Sequence, residues 1–589
     1  MANTSSDGSA EKLDHIRHSL AHLLAAAVLK EFPDAKLGIG PTVENGFYYD
    51  FLLPRPITPD DLKTLEKTMR GFVNKKLPFT GREVTPDEAR KIFAAQPFKL
   101  DLINDFAAEG KKLTVYETGD AFMDLCRGGH VENTSEIPAD GFKLDKIAGA
   151  YWKGDEKNQQ LQRIYGIAFE SKEALAHYFT MRQEAEKRDH KILGKKLSLF
   201  TFSPEVGSGL PLYMPKGNLI REELIKYITE LKKANNYKFV WTPHLAKKAL
   251  YIRSGHLGKY DAMLPPIKTD DGEEFVLKPM NCPHHFQIYN AEPKSYKDLP
   301  FRIAENATDY RNEKSGELNG LFRVRSLTQD DTHHVIRHDQ ISSEIDMILG
   351  LTRDIYEKFD FKNFRVEISV RDPKNKANYF GTDDMWNDAE NALVGAAKRW
   401  GAPFKIAEGE AAFYGPKIDI RVEDALGRTW QLTTVQLDYN QPENFDMTYV
   451  DESGKKVRPA VIHAALLGSV DRFMGIIIEQ FGGVFPVWLA PVQVSILSVG
   501  EKFSAYGKEI NANLVAHGIR SEWSEPTESL GKRIREAEMM KVPYVIVVGE
   551  KEETGNTVNV RNRKGEEKEM PVEEFLKTIG AEIKEKVLG

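Results

Sequence analysis

The alternation of apolar and polar residues divides the chain into helical and strand-like stretches. Residues 11–31 (EKLDHIRHSLAHLLAAAVLKE) place apolar residues at helical spacing, and FPDAKLGIGP ends the predicted helix. Up to about residue 170, short strand-like runs alternate with charged helices: GFYYDFLL, KLTVYET and QRIYGIAF. This order predicts an α+β domain over residues 11–170, preceded by a disordered polar N-terminus over residues 1–10.

The remaining pattern predicts a connector and two further domains. Residues 171–200 are charged and free of proline, which favours a long helical connector. Over residues 201–486 a helix (NLIREELIKYITELKKANN) and a strand (FVWTP) precede short strands divided by Gly and Pro, typical of an antiparallel sheet with flanking helices. Over residues 487–589, the strands VQVSILSVG, YVIVVG and NTVNVR alternate with amphipathic helices, which predicts an α/β module with parallel strands. The predicted fold class is therefore multidomain, with α+β and α/β parts.

Composition limits the classes of function. The chain has 589 residues, of which 41% are hydrophobic and 29% charged, so it can bury sizeable cores. Its net charge of -7 excludes a uniformly basic nucleic-acid coat but allows a local basic face. The two cysteines exclude a disulfide framework and favour a cytoplasmic location. No apolar run reaches the ~18 residues of a membrane helix, so no membrane partner is expected.

Residues 301–334 form a strand–loop–strand segment rich in arginine. Two strand-like runs flank the turn-rich loop NEKSGELNG. Strand alternation predicts that Arg311 shares a face with Glu313, and Arg323 with Arg325. Paired guanidiniums on such a hairpin can bind a polyphosphate bidentately, whereas the alternative is an exposed hairpin decorated with salt bridges.

A second segment, residues 459–483 (PAVIHAALLGSVDRFMGIIIEQFGG), leads from an apolar strand into a helix. Arg472 lies there among apolar neighbours, so it needs an anionic partner to offset desolvation. That partner is either a structural carboxylate or a bound ligand.

The order of the FVWTP helix–strand, the arginine hairpin and the GSVDR helix resembles the three motifs of class II aminoacyl-tRNA synthetases. A finer resemblance, from about residue 11 onward, is to the bacterial-type threonyl-tRNA synthetases, on the blocks LKPMNCPHH, RNEKSGELNGLFRVRSLTQDDTH, AFYGPKID, WQLTTVQLDY, IHAALLGSVDRF and FPVWLAPVQV. It implies an N-terminal editing domain, an antiparallel-sheet catalytic core and a C-terminal anticodon-binding domain. It further implies a homodimer through the helix before FVWTP, and the absence of the small extra N-terminal domain common in the family.

The resemblance implies one zinc ion, held by Cys282, His333 and His463. These residues are scattered over the sequence, so spacing alone would not reveal the site, and His334 adjoins the matching histidine. Three protein ligands leave a coordination position open. The amino and hydroxyl groups of threonine would bind there, which separates threonine from the nearly isosteric valine.

Roles for other residues follow from the same resemblance. Threonine would contact Met280, Gln329, Asp331 and Tyr414. ATP, with Mg²⁺, would contact Arg311, Glu313, Arg323, Lys417, Gln431 and Arg472, while His256 would help deprotonate the terminal ribose hydroxyl of the tRNA. Leu327 departs from the family pattern, because it stands where an aromatic residue usually stacks on adenine.

The N-terminal domain contains a second constellation. His18 and His22 are spaced i, i+4, and Cys126 and His130 follow in DLCRGGH, so the residues alone are compatible with a four-ligand zinc site. The resemblance implies instead a metal-free editing site that hydrolyses serine from threonine tRNA, made by His18, His22, Lys99, Asp124, Cys126 and His130. Serine lacks only one methyl group, worth ~1–3 kcal/mol, so a second discrimination step is expected.

The C-terminal domain would read the anticodon through Arg535, Glu552 and Arg561, with phosphate contacts from Lys532, Arg533 and the run RNRK at 561–564. The expected partners are threonine tRNA, ATP and L-threonine. The expected function is an ATP-dependent threonine–tRNA ligase with editing activity. The alternatives are a class II enzyme for proline or serine, a non-catalytic tRNA-binding paralogue, and a metallohydrolase built on the N-terminal constellation.

Overall fold

The fold comes from a computed structural model that describes residues 7–424 and 427–588. It forms two compact units, the first ending at Gln183 and the second beginning at Glu184. Of the predicted disordered segment, residues 1–6 lie outside the described residues, and a helix already begins at Asp7, earlier than the predicted residue 11. No described helix has the length and apolar character that a bilayer crossing demands.

In the first unit a long helix, Asp7–Glu31, packs against β-sheet. Its middle is buried on all sides, because every residue from 19 to 28 is buried, which explains its continuous apolar sequence. The other helices are Pro59–Val73, Pro86–Ile92, Pro97–Ala108 and the first part of Lys172–Arg188. The strands form one five-stranded and one three-stranded sheet, made of Lys36–Leu37, Thr42–Val43, Gly46–Leu52, Phe142–Tyr151 and Gln160–Ala168, and of Phe79–Val84, Leu113–Thr118 and Phe122–Leu125.

The connector predicted over residues 171–200 is not one helix. Two helices, Lys172–Arg188 and His190–Lys196, meet at Asp189, whose side chain caps the second helix by accepting the Lys191 N–H. A capping carboxylate satisfies the free N–H groups of a new helix, so the chain can turn there without losing hydrogen bonds. The segment is therefore helical, but the predicted single long helix is interrupted at Asp189.

The second unit contains an eight-stranded, mainly antiparallel sheet, as predicted. Parallel pairing occurs only at its two ends, where Lys238–Phe239 pairs with Phe301–Tyr310, and Phe364–Val370 with Phe404–Glu408. The inner strands are Ser326–Ile336, Ala460–Ser469, Thr429–Asp438 and Lys417–Glu423. The helices of this part are His190–Lys196, Pro215–Ala234, Lys248–Arg253, Cys282–Asn290, Ile341–Lys358, Asp383–Trp400, Asn440–Asn444 and Val470–Phe481. Short ladders join Phe200–Thr201 with Leu212–Tyr213, Leu245–Lys247 and Ile267–Lys268 with Glu274–Leu277, and Tyr449–Val450 with Lys456–Val457.

Two local strand predictions were wrong. The FVWTP strand is short, ending at Phe239. The strands of the arginine hairpin end at Tyr310 and resume at Ser326, so Arg311 and Arg323 lie in the connecting loop, and strand alternation does not orient them. Turn formers and a short helix, Ser315–Glu317, occupy that loop instead.

A bulge interrupts the centre of the sheet. Strand Ser326–Ile336 loses register with strand Ala460–Ser469 between Gln329 and Asp331. The Asp330 carboxylate replaces the missing ladder bonds, because it accepts the N–H groups of Leu466 at 3.0 Å and Leu467 at 3.1 Å. Lys232, at the end of helix Pro215–Ala234, lies 3.1 Å from the same carboxylate, and both side chains are fully buried. The helix therefore anchors the bulge through a buried ion pair.

The C-terminal module is an α/β domain with a mixed sheet. Val494–Ser498 pairs in parallel with Tyr544–Val548, as predicted, and also with Ser521–Ser524, a strand that the sequence analysis did not predict. Thr557–Asn562 pairs antiparallel with Tyr544–Val548 and with Glu567–Pro571, so the prediction of parallel strands was wrong for NTVNVR. The linking segment before NTVNVR is only the short helix Glu550–Gly555, too little chain for a parallel crossover. The other helices are Ser504–Ala516, Leu530–Met539 and Val572–Glu585.

We predict that Lys232→Met lowers the stability of the second unit strongly, by about 3–5 kcal/mol, since it leaves the Asp330 carboxylate buried without its cation. Differential scanning calorimetry at a fixed scan rate should show a lower apparent Tm. Lys233→Met is the matched control, because Lys233 is exposed on the same helix turn, and its effect should stay within about 0.5 kcal/mol. Equal shifts for the two variants would contradict the anchoring role.

Candidate active sites

One large cavity in the second unit collects most of the predicted site residues. Its volume is about 970 Å³, and it lies on the face of the sheet beside the bulge. The predicted residues that line it are Met280, Cys282, Arg311, Glu313, Arg323, Gln329, Asp331, His333, Tyr414, Lys417, Gln431, His463 and Arg472. His256 lines an adjoining cavity of about 530 Å³ together with Met280 and Tyr414.

One end of the cavity is basic. Arg472 lies in the first turn of helix Val470–Phe481, and its guanidinium donates to the backbone oxygens of Phe322 and Gln431, each at 2.8 Å. Burial, and then the nearby Arg311 and Arg323 charges, lower the pKa of Arg472 to about 10, so it remains cationic at neutral pH. Within the described chain Arg472 is held by carbonyls and not by a carboxylate, which favours the ligand-contact alternative.

The hairpin loop contributes unequally to this end. Arg323 donates to Glu313 at 2.7 Å and lies 3.0 Å from Glu317. Arg325 instead donates to the backbone oxygens of Glu313 and Ser208, and it does not line the cavity. The loop therefore presents Arg311 and Arg323, and the predicted pairing of Arg323 with Arg325 on one face was wrong.

The sequence analysis missed several residues in and behind the cavity wall. Asp419 is fully buried; it forms an ion pair with Lys417 and accepts the Gln431 amide at 2.6 Å, so it holds both predicted side chains. Trp430 and Phe322 place aromatic rings on the wall, 4.7 Å apart, close to Leu327. Trp430 begins the block WQLTTVQLDY, and Phe322 lies before the strand that contains Leu327. Neither ring stands at the position where the family carries its adenine-stacking residue, so the sequence gave no signal for them.

The other end of the cavity gathers metal-ligand side chains. One donor atom from each of Cys282, His333 and His463 lies within 4.8 Å of the others. The Nε2 of His333 is 2.9 Å from the Nδ1 of His463, whose own Nε2 is 2.9 Å from the Asp438 carboxylate. A thiolate and two imidazoles, one with a carboxylate behind it, form a donor set that suits zinc.

Strand alternation separates the two neighbouring histidines. His333 points into the cavity, whereas His334 is buried on the opposite side, where it contacts Glu344 and Tyr237, each at 2.9 Å. Burial, and then the neighbouring His463 imidazole, lower the pKa of His333 well below its ordinary value, so the ring is neutral. The predicted ligand, His333, is therefore the one that faces the trio.

Polar groups around this trio could orient a small amphoteric ligand. The Asp331 carboxylate accepts the Asn281 amide at 3.0 Å, a contact that the sequence analysis missed. The ring of Tyr414 lies 5.4 Å from that of His463. Together with Gln329, these groups offer an anionic acceptor, an amide and a hydroxyl beside the trio.

His256 is a buried residue, because it is only 2% exposed. Its Nδ1 lies 2.7 Å from the Ser254 hydroxyl, which itself donates to the Tyr251 carbonyl. The Ser254 oxygen therefore accepts from Nδ1–H, and Nε2 keeps its lone pair. Burial, and then the His463 charge, lower the pKa of His256 to about 4, so the ring is neutral at pH 7.

A separate cavity of about 520 Å³ lies in the first unit. His18, His22, Lys99, Asp124 and Cys126 line it. The Cys126 sulfur is 3.4 Å from the Nε2 of His18 and 3.2 Å from the Nε2 of His130, which stands behind the lining residues. All the predicted residues of this site are thus brought together.

The hydrogen bonds of this cluster involve two residues that sequence analysis missed. Lys99 and Asp124 form a buried ion pair of 2.5 Å, and the Tyr49 hydroxyl donates to the other Asp124 oxygen at 2.5 Å. The Ser19 hydroxyl lies 3.2 Å from the Nδ1 of His130. Donor atoms of His18, His22, Cys126 and His130 lie within 4.8 Å of one another, so the geometry is compatible with both a metal site and a metal-free hydrolytic site.

The C-terminal residues predicted to contact RNA differ in whether their side chains are exposed or already bound within the protein. Arg535 is exposed, whereas Arg561 forms ion pairs with Glu567 at 2.9 Å and Glu538 at 3.2 Å. Glu552 accepts the Gly549 N–H at 2.9 Å at the start of a helix. Arg533 is 3% exposed and donates to backbone carbonyls, so its predicted phosphate contact was wrong.

Comparison with known proteins gives three family matches. The tRNA synthetase class II core domain (G, H, P, S and T) matches residues 266–481, the anticodon binding domain 493–582, and the threonyl and alanyl tRNA synthetase second additional domain 113–165. A threonine–tRNA ligase of Dehalococcoides mccartyi is 45% identical over 575 residues, covering 98% of this chain and 97% of that protein. One of Gloeobacter violaceus is 48% identical over 577 residues, covering 96% and 92%.

Solved structures agree with these matches. The RNA binding domain of threonyl-tRNA synthetase from Cryptosporidium parvum superimposes with a TM-score of 0.64 at 34% identity, over 67% of this chain and 98% of that one. A prolyl-tRNA synthetase from the same organism superimposes with a TM-score of 0.51 at 17% identity, over 67% and 78%, which shows the fold alone.

We predict that Cys126 is a protonated, slowly reacting thiol. Burial is the main cause that raises its pKa to about 11. Alkylation by iodoacetamide, followed by peptide mass spectrometry, should be at least about a hundredfold slower at pH 7.5 than that of glutathione in the same tube. The rate should rise about tenfold per pH unit up to pH 10. A rate that levels off below pH 9 would place the pKa of Cys126 well below about 11 and contradict the prediction.

Proposed function

We propose that this chain, which belongs to the threonine–tRNA ligase family, joins L-threonine to the 3′ end of threonine tRNA at the large cavity and hydrolyses seryl esters at the smaller one. The observation that carries the proposal is the large cavity itself. It places a Cys–His–His trio at one end and arginines at the other, as binding a hydroxy amino acid beside a polyphosphate requires.

In the activation step, a threonine carboxylate oxygen attacks the α-phosphorus of ATP, the bond to the bridging oxygen breaks, and pyrophosphate leaves. Arg311 and Arg472 neutralise the charge that develops on the phosphates, with Mg²⁺ bound to the nucleotide. Lys417 and Gln431, held by Asp419, line the same region, and Arg323 is oriented by Glu313. Because no proton transfer is needed, positioning and charge neutralisation carry the rate.

Cys282, His333 and His463 would hold the zinc ion. Bound there, zinc supplies a Lewis-acidic position for the amino and hydroxyl groups of threonine. Asp331 would accept from the ammonium or amino group, and Met280, Gln329 and Tyr414 would shape the pocket around the side chain. Valine has no second ligand atom, so this donor set separates the two amino acids better than an apolar pocket does.

In the transfer step, the ribose hydroxyl of the tRNA attacks the threonyl carbonyl, and AMP leaves. His256 lines the adjoining cavity, and its Nε2, which makes no hydrogen bond within the described chain, is suited to accept the hydroxyl proton. Ser254 fixes the ring orientation.

In the first unit, water is the expected nucleophile for ester hydrolysis, because the Cys126 thiol is protonated at neutral pH. The imidazoles of His18, His22 and His130 can orient that water, and the Lys99–Asp124 pair can bind the amino acid ester. A serine ester needs this second site, since serine has the same hydroxyl and differs from threonine by one methyl group.

Recognition of tRNA by the C-terminal module is proposed to involve Arg535, Glu552 and Arg561. The exposed Arg535 is free to contact RNA, and Arg561 would exchange its surface ion pairs, which are weak, for RNA contacts.

A homodimer is proposed through the helix Pro215–Ala234 and the chain that follows it. Trp241, directly after that helix and its short strand, is 74% exposed, and Leu245 and Ile267 add exposed apolar surface on a neighbouring ladder. An indole so exposed on a folded chain favours a protein partner.

ATP–pyrophosphate exchange tests the ligase directly. We expect exchange with threonine, weaker exchange with serine and almost none with valine, since only valine lacks the hydroxyl. Arg472→Ala should reduce kcat by about 100-fold or more, because it removes a cation from the developing phosphate charge. Absence of threonine-dependent exchange in the zinc-loaded protein would refute the function.

Deacylation of seryl-tRNA tests the second activity. We expect Asp124→Asn to slow hydrolysis about 100-fold or more, because it breaks the Lys99 ion pair and alters the Tyr49 hydrogen bond. Asp120→Asn is the matched control, since Asp120 is exposed just before the same strand. Hydrolysis that is unchanged in Asp124→Asn would rule out this site as the place of editing.

A further inference from the structure

Behind the Cys–His–His trio, a line of buried polar groups leads away from the cavity. The Nδ1 of His333 lies 2.8 Å from the Nδ1 of His285, and the Nε2 of His285 lies 3.1 Å from the Glu305 carboxylate. Each of these three residues is at most 3% exposed. We name Glu305, His285 and His333 the relay.

The far end of the relay is an acceptor. Glu305 accepts the Thr242 N–H at 2.7 Å and its hydroxyl at 2.8 Å, and the Lys278 ammonium lies 3.8 Å away. Burial raises the pKa of Glu305, but the hydrogen bonds from His285 and Thr242 outweigh it, and the net direction is downward. The carboxylate is therefore ionised.

The ionised carboxylate fixes the direction of the first hydrogen bond of the relay. Because Glu305 accepts, the Nε2 of His285 carries a proton and donates it to this hydrogen bond. The Nδ1 atoms of His285 and His333 lie 2.8 Å apart and share one hydrogen bond, and donation by His333 is the arrangement that frees its other nitrogen for a metal. The Nε2 of His333 is left with a free lone pair, directed at the place where Cys282 and His463 converge.

We propose that Glu305 and His285 are positioning residues that lock His333 in the tautomer and orientation needed to bind zinc. The inference rests on the proposed zinc site. His463 has the shorter version of the same arrangement, with Asp438 directly behind it at 2.9 Å. A carboxylate behind a metal-binding imidazole increases its basicity, and here the effect reaches His333 through a second imidazole.

The sequence offers a matched control beside the relay. His284 and His285 are neighbours at the start of helix Cys282–Asn290, and both are buried. The ring of His284 makes no hydrogen bond to His333 or Glu305 within the described chain. Removing the His285 ring and the His284 ring in separate variants distinguishes an effect of the relay from the effect of losing any buried imidazole.

The test is a metal titration that does not depend on catalysis. A Cys126→Ser background leaves Cys282 as the single thiol, so a thiolate–cobalt charge-transfer band reports on this site alone. Zinc affinity follows from competition against the bound cobalt. We expect Glu305→Gln and His285→Ala to weaken metal binding about 10–100-fold, and His284→Ala to change it by less than about twofold.

His285→Asn provides the rescue variant. Its amide oxygen replaces the acceptor near the Nδ1 position but does not reach Glu305, so its affinity should lie between those of the parent and His285→Ala. Circular dichroism identifies any variant that fails to fold. Equal affinities in the folded His285→Asn, Glu305→Gln and His284→Ala variants would overturn the relay. Absence of a cobalt band in the parent would instead refute the zinc site on which it rests.

Discussion

The carboxylate of Asp330 lies at the point where two central strands lose register, and both ends of the large cavity depend on it. It binds the N–H groups of Leu466 and Leu467, which the ladder leaves free. Beyond the bulge the chain turns at Gly468, whose φ of 75° and close approach to the Leu432 carbonyl favour glycine. On the strand Ser326–Ile336, the bulge positions Gln329 and Asp331. On the neighbouring strand, the turn directs the chain into the helix that carries Arg472. Lys232 stabilises the bulge by neutralising the buried charge of Asp330.

The two cavities, for which we propose opposite chemistry, contain related residues. Each contains one of the chain's two cysteines beside histidines, but their surroundings differ. Around Cys282, the outer carboxylates Asp438 and Glu305 leave imidazole lone pairs pointing inward, which suits a cation. Around Cys126, the one nearby carboxylate, Asp124, is already paired with Lys99, and the thiol stays protonated. Environment, more than residue type, therefore separates the site proposed to form the ester from the site proposed to hydrolyse it.

Sequence patterns predicted the types of the elements and the composition of the sites better than they predicted local geometry. The resemblance of the motif blocks pointed to Arg311, Arg472 and the Cys–His–His trio, and the fold brings these residues to one cavity. Asp419, Asn281 and His285 were missed because their roles depend on which side chains the folded sheet brings behind the cavity wall. The pairing of Arg323 with Arg325 failed because the second strand begins only at Ser326, after both arginines, a boundary that turn formers predict only approximately. The mixed C-terminal sheet was missed because strand order does not specify the direction of the last hairpin.

We propose that threonine is selected by an open coordination position on zinc. X-ray absorption at the zinc edge, with and without L-threonine or L-valine, tests this selection most directly. We expect one sulfur ligand at about 2.3 Å and two nitrogen ligands at about 2.0–2.1 Å from the protein. We further expect added nitrogen or oxygen ligands with threonine and no such change with valine. A closed shell of four protein ligands, or the same response to both amino acids, would contradict this selection.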